Sequence, residues 1–154
     1  YYLHLIQDID FAIDIDAEKD AEGKKKDWKL THSRAAKCKR WLERERMPFS
    51  VWNSSENGFQ FFVSGRNWKN RKNMQKKVDF YKELVKKIKG IDADISIYDL
   101  RRLIKLPYSL CNGKVVLPLD DEQFENWTPE RCELKYVMAR INLRNRGWMM
   151  RCKI

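Results

Sequence analysis

Ten residues, DIDFAIDIDA at 8–17, restrict the fold of this chain more than any other stretch. Ile9, Phe11, Ile13 and Ile15 alternate with Asp8, Asp10, Ala12, Asp14 and Asp16, and this period of two makes an extended strand with two unlike faces. A strand with one wholly apolar face has to lie against a core. The other face gathers four carboxylates. Residues two apart on a strand stand about 6.6–7 Å from each other, so Asp14 and Asp16 are placed to converge on one cation. Anions that close repel unless a metal or bases neutralise them. A solvated acidic face is the plainer reading, but position separates the two pairs. Asp14 and Asp16 stand at the apolar end, next to a polar run where a loop can bring a ligand, whereas Asp8 and Asp10 belong to the entrance of the strand.

The pattern downstream alternates between the two periods. A charged connector, Glu18 to Lys29, contains Gly23. Thr31 or Ser33 is placed to cap a helix to about Arg46, with Ala35, Cys38, Trp41 and Leu42 on its inner face. Pro48 stops it. Phe49 to Trp52 and Phe59 to Ser64 read as two strands of a hairpin around the turn Asn53 to Gly58. Phe59, Phe61 and Val63 are expected to face the core, with Gln60, Phe62 and Ser64 opposite. Residues 70–89 form a second helix with Met74, Val78, Tyr81, Leu84, Val85 and Ile88 inward and a stripe of Lys and Arg outward, closed by Gly90. Ile95 to Tyr98 is a short strand, Leu100 to Leu106 a basic turn or helix ended by Pro107, and Lys114 to Leu119 a last strand. Pro129, after Thr128, starts a C-terminal helix to about Asn142. The order β-α-β-β-α-β-β-α predicts an α/β fold on a mixed sheet.

At 154 residues the chain is one domain, 1–154, with a helical segment at 128–154. It begins at Tyr1 rather than Met, and a piece of a longer protein is expected. Lys and Arg number 32 against 22 Asp and Glu, a net charge of +10. That balance favours a polyanionic partner, nucleic acid or nucleotide. No apolar run approaches the ~20 residues of a membrane span, and no signal peptide is visible. Cys38, Cys111, Cys132 and Cys152 are scattered without a C-x-x-C pair, which argues against a zinc module and for a reducing compartment. An intracellular location, cytoplasm and nucleoid or nucleus, is expected. With only His4 and His32, a histidine-rich metal site is excluded, and neither a His-x-His site nor a Ser-His-Asp triad is expected.

Three stretches say more together than any does alone: FAIDIDA, SSENGFQFFV and IYDLRRLIKLPYSLCNGK. In this order they resemble the three motifs of the archaeo-eukaryotic primase superfamily, which comprises primase small subunits, primase-polymerases and the polymerase domains of bacterial end-joining ligases. The third motif is nearly letter for letter at Arg102 to Ser109. The resemblance covers about residues 8–119. It implies a primase-like catalytic core with an RRM/ferredoxin-like palm and no zinc stem, which performs template-directed nucleotidyl transfer. It also implies Asp14, Asp16 and Asp99 as ligands of two divalent ions, Mg²⁺ or Mn²⁺, and no zinc. Carboxylate oxygens suit such hard cations, and a two-metal displacement needs anions for the ions and cations for the triphosphate. Ser54, Ser55, Gly58, Gln60, Arg102, Lys105, Ser109 and Lys114 stand at or beside the nucleotide-contacting positions, and Arg101 is a further cation beside them. Nucleoside triphosphates, a single-stranded or primed DNA template, and a primase large subunit or a helicase are the partners implied.

The sequence departs from the motifs at three places. Gln60 stands for a histidine, Cys111 (or Asn112) for another, and Ser55 for a glycine. An amide donates a hydrogen bond but carries no charge, and a lost charge-assisted contact costs about 1.5–3 kcal/mol. The alternative is therefore a weakened primase-fold domain that serves as a nucleic-acid-binding or replisome scaffold subunit. A third reading, an RNA-binding domain of ferredoxin-like type, has only Phe59, Phe61 and Phe62 as stacking aromatics.

Overall fold

The alternation at the start of the chain forms β1 (Phe11–Ile15), with Phe11, Ile13 and Ile15 buried. The computed structural model describes residues 11–17, 27–54, 57–64, 74–98 and 108–140. After β1 come α1 (Trp28–Arg44), β2 (Phe49–Asn53), β3 (Phe59–Val63), α2 (Met74–Lys86), a 3₁₀ turn at Ile95–Ile97, β4 (Leu110–Cys111), β5 (Lys114–Val115), β6 (Pro118–Leu119), α3 (Asp121–Glu125) and a 3₁₀ turn at Pro129–Cys132.

Four strands make one sheet in the order β1-β3-β2-β6, and β4 and β5 form a separate hairpin. β3 is antiparallel to both β1 and β2, so β1 and β2 run parallel to each other with β3 between them and α1 as the crossover. This arrangement replaces the expected mixed sheet. The crossover skips a strand, and every adjacent pair among the described residues is antiparallel.

Both helices cover one face of the sheet. Phe11, Ile13, Ile15, Val51, Phe59, Phe61 and Val63 meet Ala35, Cys38 and Leu42 of α1 and Tyr81 and Val85 of α2. Phe11 stacks on Tyr81 with ring centroids 4.2 Å apart. Spacings of three and four residues put the α1 set on one stripe. At the end of this core His32 lies against Phe59 and Phe124, with its Nε2 2.8 Å from the Phe124 carbonyl. The opposite face carries a smaller cluster of Trp52, Phe62 and Val116 with Ala12.

Several expected boundaries move, each for a local reason. α1 begins a turn before Thr31, because the Asp27 carboxylate accepts from the Leu30 N–H at 3.0 Å while Asp27 itself adopts a left-handed φ of 48°. Thr31 is then interior and buried. Ile95 to Tyr98 is not a strand. The Asp94 carboxylate accepts from the Ser96 N–H at 2.8 Å and turns the chain into the 3₁₀ geometry. The segment nevertheless lies along the outer edge of β1: the Asp94 N–H donates to the Asp14 carbonyl at 2.8 Å, and the Tyr98 hydroxyl donates to the Ala12 carbonyl. Lys114 to Leu119 divides in two. Asn112 and Gly113, with φ of 51° and 76°, make the two-residue turn that joins β4 to β5, and Pro118, which has no N–H, starts β6 on β2. The helix α3 was not expected. Asp120 and Gln123 form its capping box, each side chain bonded to the other's backbone N–H. Pro129 opens a 3₁₀ turn, and helix proper runs over 134–140. Among the described residues no helix is long and apolar enough to cross a membrane.

One buried polar side chain bridges the sheet and the hairpin region. Asn53, fully buried at the end of β2, donates from Nδ2 to the Val115 carbonyl at 2.9 Å and accepts the Leu117 N–H at 2.6 Å. It satisfies backbone groups where the chain passes from β5 to β6.

Burial pushes the Cys38 thiol up to about 12 from 9.0. Between those pH values the unfolded chain sheds a proton that the folded chain keeps, so stability falls as pH rises, by about 1.4 kcal/mol per pH unit. Urea unfolding is expected to show a nearly constant midpoint from pH 7 to 8.5 and a falling one above pH 9. Cys38→Ala is expected to make that alkaline fall shallower.

Candidate functional site

The polar face of β1 meets the polar face of the hairpin in a row set by strand register. Asp14 is opposite Gln60, Gln60 is opposite Trp52, and Trp52 is opposite Pro118. Because side chains alternate across a strand, the register that sends Phe59 and Phe61 to the helices also turns Gln60 towards Asp14. The Gln60 Nε2 donates to Asp14 Oδ2 at 3.4 Å, a long bond. Both side chains are 8% exposed. The Gln60 Oε1 is buried with no hydrogen-bond partner, which costs about 1–3 kcal/mol when no water or ligand compensates.

Just beyond the end of β1, Asp16 lies half-buried against the hairpin turn. Gly58 makes that approach possible. A Cβ at position 58 would collide with the Ser54 hydroxyl and stand 2.8 Å from Asp16 Oδ1 and 3.1 Å from the Ile15 carbonyl. The Ser54 hydroxyl and the Asp16 carboxylate therefore face one notch in the backbone. The turn is closed by the Ser54 N–H, which donates to the Gly58 carbonyl at 2.9 Å, and Asn57 takes a left-handed φ of 61°. Lys114 reaches the same turn from β5, with Nζ 3.4 Å from Asn57 Oδ1.

Five of the residues singled out in the sequence are thus neighbours: Asp14, Asp16, Ser54, Gly58 and Gln60, with Lys114 at the turn. Cys111 pairs with Lys114 across the β4-β5 hairpin. The Ser109 carbonyl accepts the Val116 N–H at 3.0 Å, which extends that hairpin, and Val116 packs with Trp52 and Phe62 on the polar side of the sheet. Ser55, Asp99, Arg101, Arg102 and Lys105 lie outside the described residues. Tyr98, immediately before Asp99, was not singled out. Burial, then the nearby Cys38 and Asp14, pushes its phenol well above the usual range, so it remains a neutral donor to the edge of β1.

Among the described residues no group of three acidic, histidine or cysteine side chains is gathered for a metal. Asp14 and Asp16 offer two carboxylates from one strand end, and the third acid the motifs imply, Asp99, is outside the described residues. The donor set present, carboxylate with hydroxyl and amide oxygens, is all oxygen and fits a hard cation such as Mg²⁺ or Mn²⁺. No family model, curated protein or solved structure matches the chain.

Gly58 provides a test of this packing that is independent of activity. Its φ is not in the left-handed region, so Gly58→Ala is a change of space alone. It is expected to destabilise the fold by about 1–3 kcal/mol, read as a lowered urea midpoint. Ser54→Ala should recover part of that loss, giving a non-additive double-mutant cycle. Additive losses would show that Ser54 and position 58 do not share the notch.

Proposed function

We propose that the chain is the catalytic core of a template-directed nucleotidyltransferase of the primase and primase-polymerase type, built on an RRM/ferredoxin-like palm. The observation that carries this reading is the register of β1 on β3, which sets Asp14 against Gln60 while Gly58 draws Asp16 and Ser54 into one notch. The order β1-β3-β2 with a helical crossover supports the palm, and the net charge of +10 suits a nucleic-acid template.

In this reading Asp14 and Asp16, with Asp99, hold two divalent ions. The ions supply the charge that stabilises attacking and leaving oxygens in an in-line displacement. Gln60, beside Asp14, offers its amide to a phosphate oxygen. Ser54 and the backbone of the turn offer donors to phosphate oxygens, Lys114 adds a cation at the turn, and Arg102 and Lys105 are the further clamps. Ribo- and deoxyribonucleoside triphosphates are both candidate substrates.

A second reading has its own observation. Asp14 is nearly buried and hydrogen-bonded to an uncharged Gln60, as in a closed structural pair. That suits a domain which kept the fold as a nucleic-acid-binding or replisome scaffold subunit without turnover.

Primer extension and de novo synthesis, assayed with Mg²⁺ and with Mn²⁺ and with each nucleotide type separately, decide between the two. Asp14→Asn keeps the shape and removes the charge, and is expected to lower turnover by about a hundredfold or more, since metal stabilisation is worth several kcal/mol. Gln60→His should keep or raise activity by adding charge beside the phosphates. Gln60→Ala should raise the nucleotide KM by roughly two- to tenfold, the worth of one neutral hydrogen bond, with a smaller change in kcat. A fall in kcat instead assigns Gln60 to holding Asp14. An unmodified chain that synthesises nothing but binds DNA supports the scaffold.

A further inference from the structure

The side of the helices that faces away from the sheet carries a second feature, which the carboxylate site does not use. Lys37, Arg40 and Arg44 recur at intervals of three and four along α1, so they form one stripe. Lys87 and Lys89, just past the end of α2, complete the opposite wall. Between them lies an open groove of about 560 Å³, with Trp41, half-buried against the core, and the buried Ile88 as its apolar floor and, among the described residues, no carboxylate in its lining. Lys37 lies along the turn at Gly90, its Nζ 3.4 Å from where a Cβ at that position would be.

An ordinary surface intersperses charges of both signs. Here several neighbouring acids are engaged by cations outside the groove: Asp92 by Arg34 at 2.7 Å, Glu43 by Lys39 at 2.6 Å and Glu83 by Lys86 at 2.7 Å. Of the five cations in the lining, Arg44 has an ion pair, with Glu45 at 3.3 Å. Gathering like charges in a concavity is unfavourable for the isolated protein and becomes favourable when a polyanion lies there.

We propose that this groove is a binding site for single-stranded nucleic acid. Its basic walls follow the phosphates, and Trp41 stacks a base without regard to sequence. The concavity selects this occupant over a membrane, since a flat bilayer cannot reach an aromatic set between two rows of cations. Asp14 and Gln60 project from the opposite face of the sheet, so a strand held here is not in the carboxylate site. It is a second contact that keeps the chain on its nucleic acid, and it holds whether or not the carboxylate site turns over.

Fluorescence anisotropy of a labelled oligo(dT) with the full chain, in EDTA and over a range of salt, tests the site apart from any synthesis. The unmodified chain is expected to bind with a strong salt dependence. Replacing Lys37, Arg40 and Lys89 by Gln together should reduce the slope of log K against log salt by about 2, at roughly 0.7 per phosphate contact on a single strand. The matched triple Lys76→Gln, Lys82→Gln and Lys86→Gln, on α2 outside the groove, should leave most of that slope. Trp41→Leu should weaken binding roughly five- to a hundredfold, and circular dichroism with a melting curve checks that this variant is folded. Equal slopes for the two triples would overturn the proposal by making the binding diffuse. So would equal competition by poly-glutamate and unlabelled oligo(dT), which would assign the groove to an acidic polypeptide, and so would no binding by the unmodified chain.

Discussion

The ladder that β3 makes on both of its edges is the constraint on which everything else in this molecule rests. All five of its residues are buried. Phe59, Phe61 and Val63 fill the helix side, and Gln60 and Phe62 the other. A slip of one residue would exchange these sets, driving Gln60 between the helices and Phe61 out beside Asp14. Each large apolar side chain so displaced forfeits about 1.5–3 kcal/mol. A buried amide without a partner costs more on top. Several kcal/mol therefore pin the register, and the same register sets the carboxylate of Asp14 against the amide of Gln60. The position of the polar pair follows from the packing of the apolar residues on the other side.

The two faces of the sheet also divide the electrostatics. Asp14 and Gln60 lie on the face opposite the helices, beside the cluster of Trp52, Phe62 and Val116, while the helices on the other side present Lys and Arg. Asp16 stands at the notch beside Gly58 and Asp14 against Gln60, within a chain of net charge +10. A net positive charge favours polyanions near the chain as a whole, while the carboxylates themselves repel them.

What the sequence made legible was what strict periodicity encodes. The alternation at 11–15, the hairpin of β2 and β3 and the inner stripes of the two helices all follow from patterns of two and of three-to-four. The closeness of Asp14, Asp16, Ser54, Gly58 and Gln60 followed from motif order together with the strand alternation. Short polar features were harder to see. Asp27 capping α1 from a left-handed conformation, Asp94 bending Ile95–Ile97 into a 3₁₀ turn and the Asp120–Gln123 capping box each depend on one side chain choosing a nearby backbone N–H, which no period reveals. Asn53 gave no signal because its partners, Val115 and Leu117, are over sixty residues away. The groove on α1 was hidden in the same way, since two of its five cations come from past the end of α2.

Neither margin of the four-stranded sheet is a long bare strand. On one side β6 offers two residues, the first a proline. On the other, the carbonyls of Ala12 and Asp14 on the outer edge of β1 already accept from the Tyr98 hydroxyl and the Asp94 N–H. A strand from another molecule that approached either margin would find its hydrogen-bonding positions occupied or missing. The segment around the turn at Ile95–Ile97, set where a further strand was expected, thus takes up two outer carbonyls of β1 that a strand from another copy would need.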